Sequence, residues 1–271
     1  MRDDGKGLLE ALAVTCRGQG APPIVFVHGF GVDQSVWRSI APHFEMRHPV
    51  VLFDQMGCGA SLSQTIDSTR YRSLDGYADD LAALLDVLAL DDAVVVGHSI
   101  AGMIAMLAAR RCNRIGRLVM VGSSARYLND ADYRGGFEAA EIEELLAFLE
   151  LDFQGWIRAM APVAVANPDR PELAEAVAHS FGRANPSVLR AFGRATFLAD
   201  FRDQLSACRQ PTLVLQASED SIVTPEAAMF LAANIPGARL LTLRARGHYP
   251  QLSAPEEVRR AIAGFLADGR A

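Results

Sequence analysis

The sequence predicts an α/β fold with a mostly parallel central sheet flanked by helices, for two reasons. First, short apolar runs rich in β-branched residues recur along the chain, and such runs are typical of parallel strands buried on both faces. Second, helical patterns separate many of these runs, and this alternation favours a parallel sheet. The predicted strands are Ala11–Cys16, Ile24–Val27, Val50–Phe53, Ala93–Val96, Leu118–Val121, Thr212–Leu215 and Leu240–Leu243.

Four segments carry the helical patterns of this core. Apolar residues at steps of three or four between Tyr77 and Leu88 predict an amphipathic helix. Ile100–Arg111 is apolar nearly all round, which predicts a buried helix. Glu226–Asn234 and Pro255–Ala267 give two more.

One long block breaks the alternation of strand and helix. From about Ala125 to Asp200 the sequence shows apolar residues at helical spacing, punctuated by prolines, and no convincing strand. We therefore predict a helical insertion of three or four helices, which leaves the sheet after Val121 and returns before Thr212. Residues 1–124 and 201–271 are assigned to the core, and residues 125–200 to a helical cap.

The composition excludes several classes of protein. The chain has 271 residues, a net charge of −6 and 50% hydrophobic residues, so an intrinsically disordered protein is excluded. The mild acidity argues against nucleic-acid binding, and the longest apolar run falls short of the about 18 residues of a membrane span. The four cysteines show no metal-site spacing, which favours free thiols. We expect a cytoplasmic protein without a metal, a cofactor or a membrane partner.

The strongest chemical signal is Gly97-His98-Ser99-Ile100-Ala101-Gly102, which joins a predicted strand directly to a predicted helix. This context is typical of a nucleophile elbow, in which a tight, strained turn lifts a serine hydroxyl above the sheet. Ala101 stands where the usual G-x-S-x-G pattern has its second glycine, and alanine is small enough for that place. The alternative is a serine that only caps the helix.

A serine nucleophile needs a base, and His248 is the histidine that we predict for this role. It follows the last predicted strand, and the catalytic groups of open α/β sheets gather at the carboxyl ends of strands. Four other histidines are better suited to surface, structural or packing positions: His43, His48, His98 and His179.

The acid that orients the base is predicted to be Asp220, which lies in the loop after the strand Thr212–Leu215. Glu219 is an adjacent rival, and either carboxylate could instead be a solvated loop charge or a helix cap. The order Ser99, Asp220, His248 favours the triad, because each residue follows a predicted strand in the chain order of α/β-hydrolases.

Two backbone N–H groups are predicted to bind the oxyanion that acyl transfer generates. One belongs to Ile100, and the other to Phe30 in the loop His28-Gly29-Phe30-Gly31, whose aromatic ring would also line the pocket. A turn without a catalytic role is the alternative for that loop. Gly57-Cys58-Gly59 lacks the third glycine and the lysine of phosphate-binding loops, which argues against nucleotide binding.

Together these motifs resemble the α/β-hydrolase fold proteins over nearly the whole chain. More narrowly, the chain is similar to the group that contains the bacterial stress-response regulator RsbQ and the plant karrikin and strigolactone receptors. The segments that carry this resemblance are His28–Trp37, Gly97–Ile100, Arg126–Asp130, Gly135–Glu138 and Gly247–Ser253.

The resemblance implies a triad of Ser99, His248 and Asp220, oxyanion donors at Phe30 and Ile100, and a V-shaped helical lid over an apolar cavity. It implies no cofactor. Further side chains are candidates to line that cavity, with plain core packing as the alternative for each: Phe137, Trp156, Met160, Phe197 and Ile222.

Two functions fit these predictions. The first is a serine hydrolase that cleaves small apolar esters or butenolide-like lactones through an acyl-enzyme. The second is a ligand-sensing regulatory protein that binds a protein partner through its lid, with little turnover. The plant members bind and slowly hydrolyse butenolide lactones, while RsbQ works with a phosphatase partner, and neither role transfers on similarity alone.

Overall fold

The computed structural model describes residues 3–61 and 69–268. Within these residues seven strands form one sheet, in the order β1-β3-β2-β4-β5-β6-β7. Only β1 runs antiparallel to its neighbour, which confirms the predicted α/β class with a mostly parallel sheet. The strands are β1 Thr15–Arg17, β2 Ile24–Val27, β3 Val50–Leu52, β4 Ala93–His98, β5 Ile115–Val121, β6 Thr212–Glu219 and β7 Arg239–Arg246.

Helices cover the sheet and its carboxyl edge. Within the described residues, no helix is both long enough and apolar enough to span a membrane. The α-helices are α1 Asp3–Ala11, α2 Leu74–Val87, α3 Ala101–Ala109, α4 Ala139–Leu151, α5 Phe153–Val165, α6 Pro171–Gly182, α7 Pro186–Phe197, α8 Pro225–Asn234, α9 Pro250–Ser253 and α10 Pro255–Asp268. Short 3-10 helices lie at Gln34–Trp37, Ala41–His43, Arg70–Arg72 and Arg202–Ala207.

The centre of the molecule is the most apolar part of the chain. Every residue of β2 and β4 is buried, as expected for strands with helices on both faces. Helix α3 is buried from residue 101 to residue 108, because it lies between α2 and the sheet. This buried centre supports the turn that joins β4 to α3.

The predicted strand Ala11–Cys16 is wrong over most of its length. Ala11 ends helix α1, and Ala13 has a positive φ of 47°, so the strand starts only at Thr15. The apolar run was ambiguous, because Leu8 and Leu12 are also four residues apart and pack toward the core from one helical face. The strand β6 extends beyond its predicted apolar centre into the exposed residues Ser218 and Glu219. The predicted run Leu240–Leu243 of β7 is exposed except at Leu243, because β7 is an edge strand and is not buried on both faces as expected.

Four helices, α4 to α7, lie between β5 and β6, and we call them the four-helix segment. Asn185 caps the start of α7, with its side-chain oxygen accepting from the N–H of Ser187 at 3.0 Å. Several contacts attach the segment to loops of the core, and two of them involve the end of α6 and the start of α7. The Asp33 N–H donates to Ser180 Oγ at 2.8 Å, and the Asn185 N–H donates to the Gly57 carbonyl at 2.8 Å.

Candidate active site

Ser99 occupies a strained turn between β4 and α3. Its φ is +57°, a left-handed conformation that L-residues rarely adopt. Two hydrogen bonds hold the turn, from the Ser99 N–H to the Val121 carbonyl and from Ser123 Oγ to the Ser99 carbonyl, both at 2.7 Å. A Cβ at Gly97 would lie 2.6 Å from the Ala101 backbone, so only glycine fits at that position.

Three side chains from separate strand ends form one hydrogen-bonded chain. Ser99 Oγ lies 2.9 Å from His248 Nε2, and His248 Nδ1 lies 3.0 Å from both carboxylate oxygens of Asp220. The N–H groups of Ile222 and Val223 also donate to Asp220, at 2.8 and 3.0 Å. A carboxylate can only accept here, so Nδ1 carries the imidazole proton and Nε2 is free to accept from the serine hydroxyl.

The loop that carries His248 is fixed at both sides. Gly247 donates its N–H to the Glu219 carbonyl, and His248 donates its N–H to the Ala164 carbonyl at the end of α5, both at 2.8 Å. The side chain of Glu219 is exposed and lies 3.3 Å from Arg246. Of the two rival carboxylates, Asp220 is therefore the one that contacts the imidazole.

Two further histidines surround the site as buried neutral groups. His98 donates Nε2–H to the His248 carbonyl at 2.8 Å, and burial together with the nearby His248 ring holds the pKa of His98 well below its usual value. His28 accepts from the Gln55 N–H at Nε2, and burial lowers the pKa of His28 as well. Both rings support the loops around Ser99.

The loop after β2 packs directly against the serine turn. A Cβ at Gly29 would lie 2.7 Å from His98 Nδ1 and 3.1 Å from Ser99 Cβ, so this close approach requires glycine. In the described part of the chain, the backbone N–H groups of Phe30 and Ile100 have no hydrogen-bond partner. Both donors are therefore available for an incoming oxygen.

Tyr127 is a site residue to which the sequence patterns assigned no catalytic role. Its hydroxyl lies 3.1 Å from Ser99 Oγ, and its side chain is buried. Burial raises the pKa of Tyr127 well above the usual value, so the phenol stays protonated at neutral pH. One signal could have indicated it, because Tyr127 follows β5, the strand beside β4, at the same carboxyl edge of the sheet.

A cavity of about 50 Å³ lies between Ser99 and the four-helix segment. All six side chains predicted to line a pocket face it: Phe30, Phe137, Trp156, Met160, Phe197 and Ile222. The lining also includes residues that were not predicted for it: His98, Tyr127, Leu145, Ala164, Phe181, Thr196 and Tyr249.

Much of the lining of this cavity is aromatic. The ring of Phe30 lies 6.0 Å from Trp156 and 5.6 Å from Phe197 between ring centres, and 5.5 Å from Phe192 outside the lining, with near-perpendicular rings. Over the described residues, no group of three or more His, Cys, Asp or Glu side chains is placed to hold a metal ion.

Comparisons with known proteins agree with this architecture. The model of the alpha/beta hydrolase family matches residues 24–261. The chain is 37% identical to strigolactone esterase D14 from Arabidopsis thaliana, over 96% of each chain. It is 32% identical to karrikin insensitive 2 receptor IA from Petunia hybrida, over 92% of each chain.

A solved structure of a hydrolase from Oleispira antarctica superposes with a TM-score of 0.94, at 31% identity and over 97% of each chain. The resemblance to the plant karrikin and strigolactone receptors, inferred from the motifs, is confirmed. The chain belongs to the alpha/beta hydrolase family.

Proposed function

We propose that the protein is a serine hydrolase that cleaves small apolar esters or lactones through an acyl-enzyme on Ser99. The observation that carries this proposal is the 2.9 Å contact between Ser99 Oγ and His248 Nε2, at a turn that the fold holds in a strained conformation. Nucleophilic catalysis needs this contact, because a serine hydroxyl is a poor nucleophile without a base.

Acylation follows from the hydrogen-bonded chain. His248 Nε2 removes the Ser99 proton as Oγ attacks the ester carbon, and Asp220 stabilises the imidazolium that results. The N–H groups of Phe30 and Ile100 bind the negative oxygen of the tetrahedral intermediate. The imidazolium then gives its proton to the leaving alcohol, and an acyl group remains on Oγ.

Deacylation reverses these roles with water. His248 removes a proton from a water molecule, whose oxygen attacks the acyl carbon. The second tetrahedral intermediate breaks its bond to Ser99 Oγ, which takes a proton back from His248. For a lactone both products are parts of one hydroxy acid.

The cavity supports a small apolar substrate. Its volume of about 50 Å³ is below the usual range of ligand pockets, which favours short acyl groups unless the four-helix segment moves. The largely aromatic lining favours an apolar group over a charged one. A relative named a strigolactone esterase supports an ester or lactone as the substrate class.

Removal of the Ser99 hydroxyl tests the proposal. We expect Ser99→Ala to abolish turnover of p-nitrophenyl acetate, because no nucleophile remains to form the acyl-enzyme. Ser187→Ala is the matched control, since it deletes an exposed serine hydroxyl in the first turn of α7, outside the cavity. Full activity in Ser99→Ala would overturn the assignment, whereas unchanged activity in the control supports it.

A second function is favoured by apolar side chains that the four-helix segment exposes. Exposed apolar side chains lie on α4 and α5 of the four-helix segment: Phe148, Leu151 and Val163. Leu151 is 89% exposed, and the relative from Petunia hybrida is named a receptor. We therefore also propose that the four-helix segment binds a regulatory protein when ligand occupies the cavity.

Copurification distinguishes this second function. A partner that binds the wild type and is lost from Leu151→Lys supports it, and binding that is unchanged by Leu151→Lys and Val163→Lys contradicts it.

We also propose a cytoplasmic location, which the four free cysteines support because a reducing compartment keeps thiols free.

A further inference from the structure

Tyr127 brings a second polar side chain, besides His248, to the reacting oxygen. In the described part of the chain, Ser99 Oγ is the only hydrogen-bond partner of the Tyr127 hydroxyl, at 3.1 Å. The ring is held in place, since it packs edge-on against Phe197 at 5.5 Å between centres. The backbone is held too, because the Tyr127 carbonyl accepts from the Phe137 N–H at 3.1 Å.

The proton positions around Ser99 determine which group donates. The carboxylate of Asp220 fixes the imidazole proton on Nδ1, so His248 Nε2 offers a lone pair to Ser99. Serine has a single hydroxyl proton, and the base requires it. The hydrogen bond between the two hydroxyls must therefore run from the Tyr127 O–H to a lone pair of Ser99 Oγ.

We propose that Tyr127 is a further catalytic residue, whose O–H stabilises Ser99 Oγ when that oxygen leaves the acyl group during deacylation. This inference rests on the proposed hydrolase function. In the step concerned, the bond between the acyl carbon and Oγ breaks and its electron pair moves to Oγ. His248 supplies the proton to Oγ, and Tyr127 donates only a hydrogen bond and keeps its own proton.

Deacylation gains more from this donor than acylation does. In the acyl-enzyme, Oγ is an ester oxygen and a weak acceptor, but it gains negative charge as the bond breaks, so the hydrogen bond strengthens in the transition state. In the free enzyme, Oγ already accepts from Tyr127, and the same donor draws electron density from the nucleophile. In acylation, the stabilisation that this hydrogen bond gives to the transition state is therefore largely offset by its effect on the free enzyme.

The consequence is that Tyr127 sets the lifetime of the acyl-enzyme. Without its hydroxyl the acyl group should stay longer on Ser99, while the rate at which it arrives changes little. A residue that only fills space beside the serine would affect both steps together, so the ratio of the two rate constants separates catalysis from packing.

The test compares the hydrolysis of p-nitrophenyl acetate by Tyr127→Phe and by the wild type. Steady-state samples are quenched in acid, and intact-protein mass spectrometry gives the acetylated fraction. At saturation, kcat divided by that fraction is the deacylation rate constant, and kcat divided by the remaining fraction is the acylation rate constant. Both rate constants are obtained in this way whichever step limits turnover.

We expect Tyr127→Phe to lower the deacylation rate constant about 10- to 100-fold, as for the loss of one hydrogen bond to a charged oxygen. The acylation rate constant should stay within about threefold of wild type. The matched control is Tyr77→Phe, which removes a buried hydroxyl that has no partner among the described residues and does not line the cavity. Both rate constants should be unchanged in this control.

Two results would overturn the inference. One is a deacylation rate constant in Tyr127→Phe within about twofold of wild type, and the other is an equal loss in both steps. Failure of the proposed function is seen separately, as retained turnover in Ser99→Ala. A loss of turnover in Ser99→Ala with normal deacylation in Tyr127→Phe would reject only the role of Tyr127.

Discussion

Gly247 is the position where we expect one added methyl group to disturb both stability and the site. Its φ of +80° is unfavourable for alanine. A Cβ there would lie 1.8 Å from the carbonyl oxygen of Val165 and 2.6 Å from the carbonyl carbon. These are backbone atoms at the end of α5, so Gly247→Ala forces the loop and the helix apart.

Two costs add up in this variant. The left-handed conformation costs alanine about 1–2 kcal/mol. The separation also breaks the hydrogen bond from the His248 N–H to the Ala164 carbonyl and leaves buried groups unpaired, at about 1–3 kcal/mol. Gly247→Ala should therefore lose about 2–5 kcal/mol of unfolding free energy, measured by urea denaturation.

Gly237 supplies a matched control. It also has a positive φ, +71°, but a Cβ there would meet no atom within 4 Å. Gly237→Ala should lose only the strain of about 1–2 kcal/mol and keep its activity. Gly247→Ala should in addition lose about 100-fold in kcat/KM, because a shift of about 1 Å misplaces the base. Equal destabilisation of the two variants would show that the close approach to Val165 contributes nothing.

Two further predictions concern charged groups. Asp220→Asn should lower kcat about 10⁴-fold with p-nitrophenyl acetate, because an amide no longer fixes the proton of His248 on Nδ1; a loss below tenfold would contradict this role. Burial opposes ionisation of Asp200, but hydrogen bonds from Arg202 and Arg126 outweigh it and lower the pKa of Asp200 to about 2. Because the folded-state pKa is depressed, this stabilisation is complete above about pH 4 and is lost as the pH falls towards 2. Thermal unfolding should show Asp200→Asn less stable than wild type at pH 6, with the difference shrinking below about pH 4; a constant difference would contradict the assignment.

The strand pattern made much of the molecule predictable. Short buried runs and helical patterns identify the sheet, and residues that follow parallel strands must meet at its carboxyl edge. This rule placed Ser99, Asp220 and His248 at three strand ends, and the structure joins their side chains through contacts of 2.9 and 3.0 Å. The rule needs no knowledge of side-chain direction.

The remaining features depend on information that a linear pattern lacks. Leu8 and Leu12 suit a helical face as well as a strand, and only packing against the core decides between them. The contact of Tyr127 with Ser99 depends on the path of the loop after β5 and on a rotamer. The choice of Asp220 over Glu219 depends on which carboxylate faces the imidazole. A shift of the chain by one residue would exchange the two carboxylates.

The most direct test of the proposed chemistry is to find where a covalent reagent attaches. A fluorophosphonate probe reacts with a serine that a base activates, and tandem mass spectrometry locates the adduct. We predict one adduct on the wild type, at Ser99, and loss of labelling in His248→Ala. Labelling at another residue, or undiminished labelling of Ser99 in His248→Ala, would contradict the claim that this imidazole activates this hydroxyl.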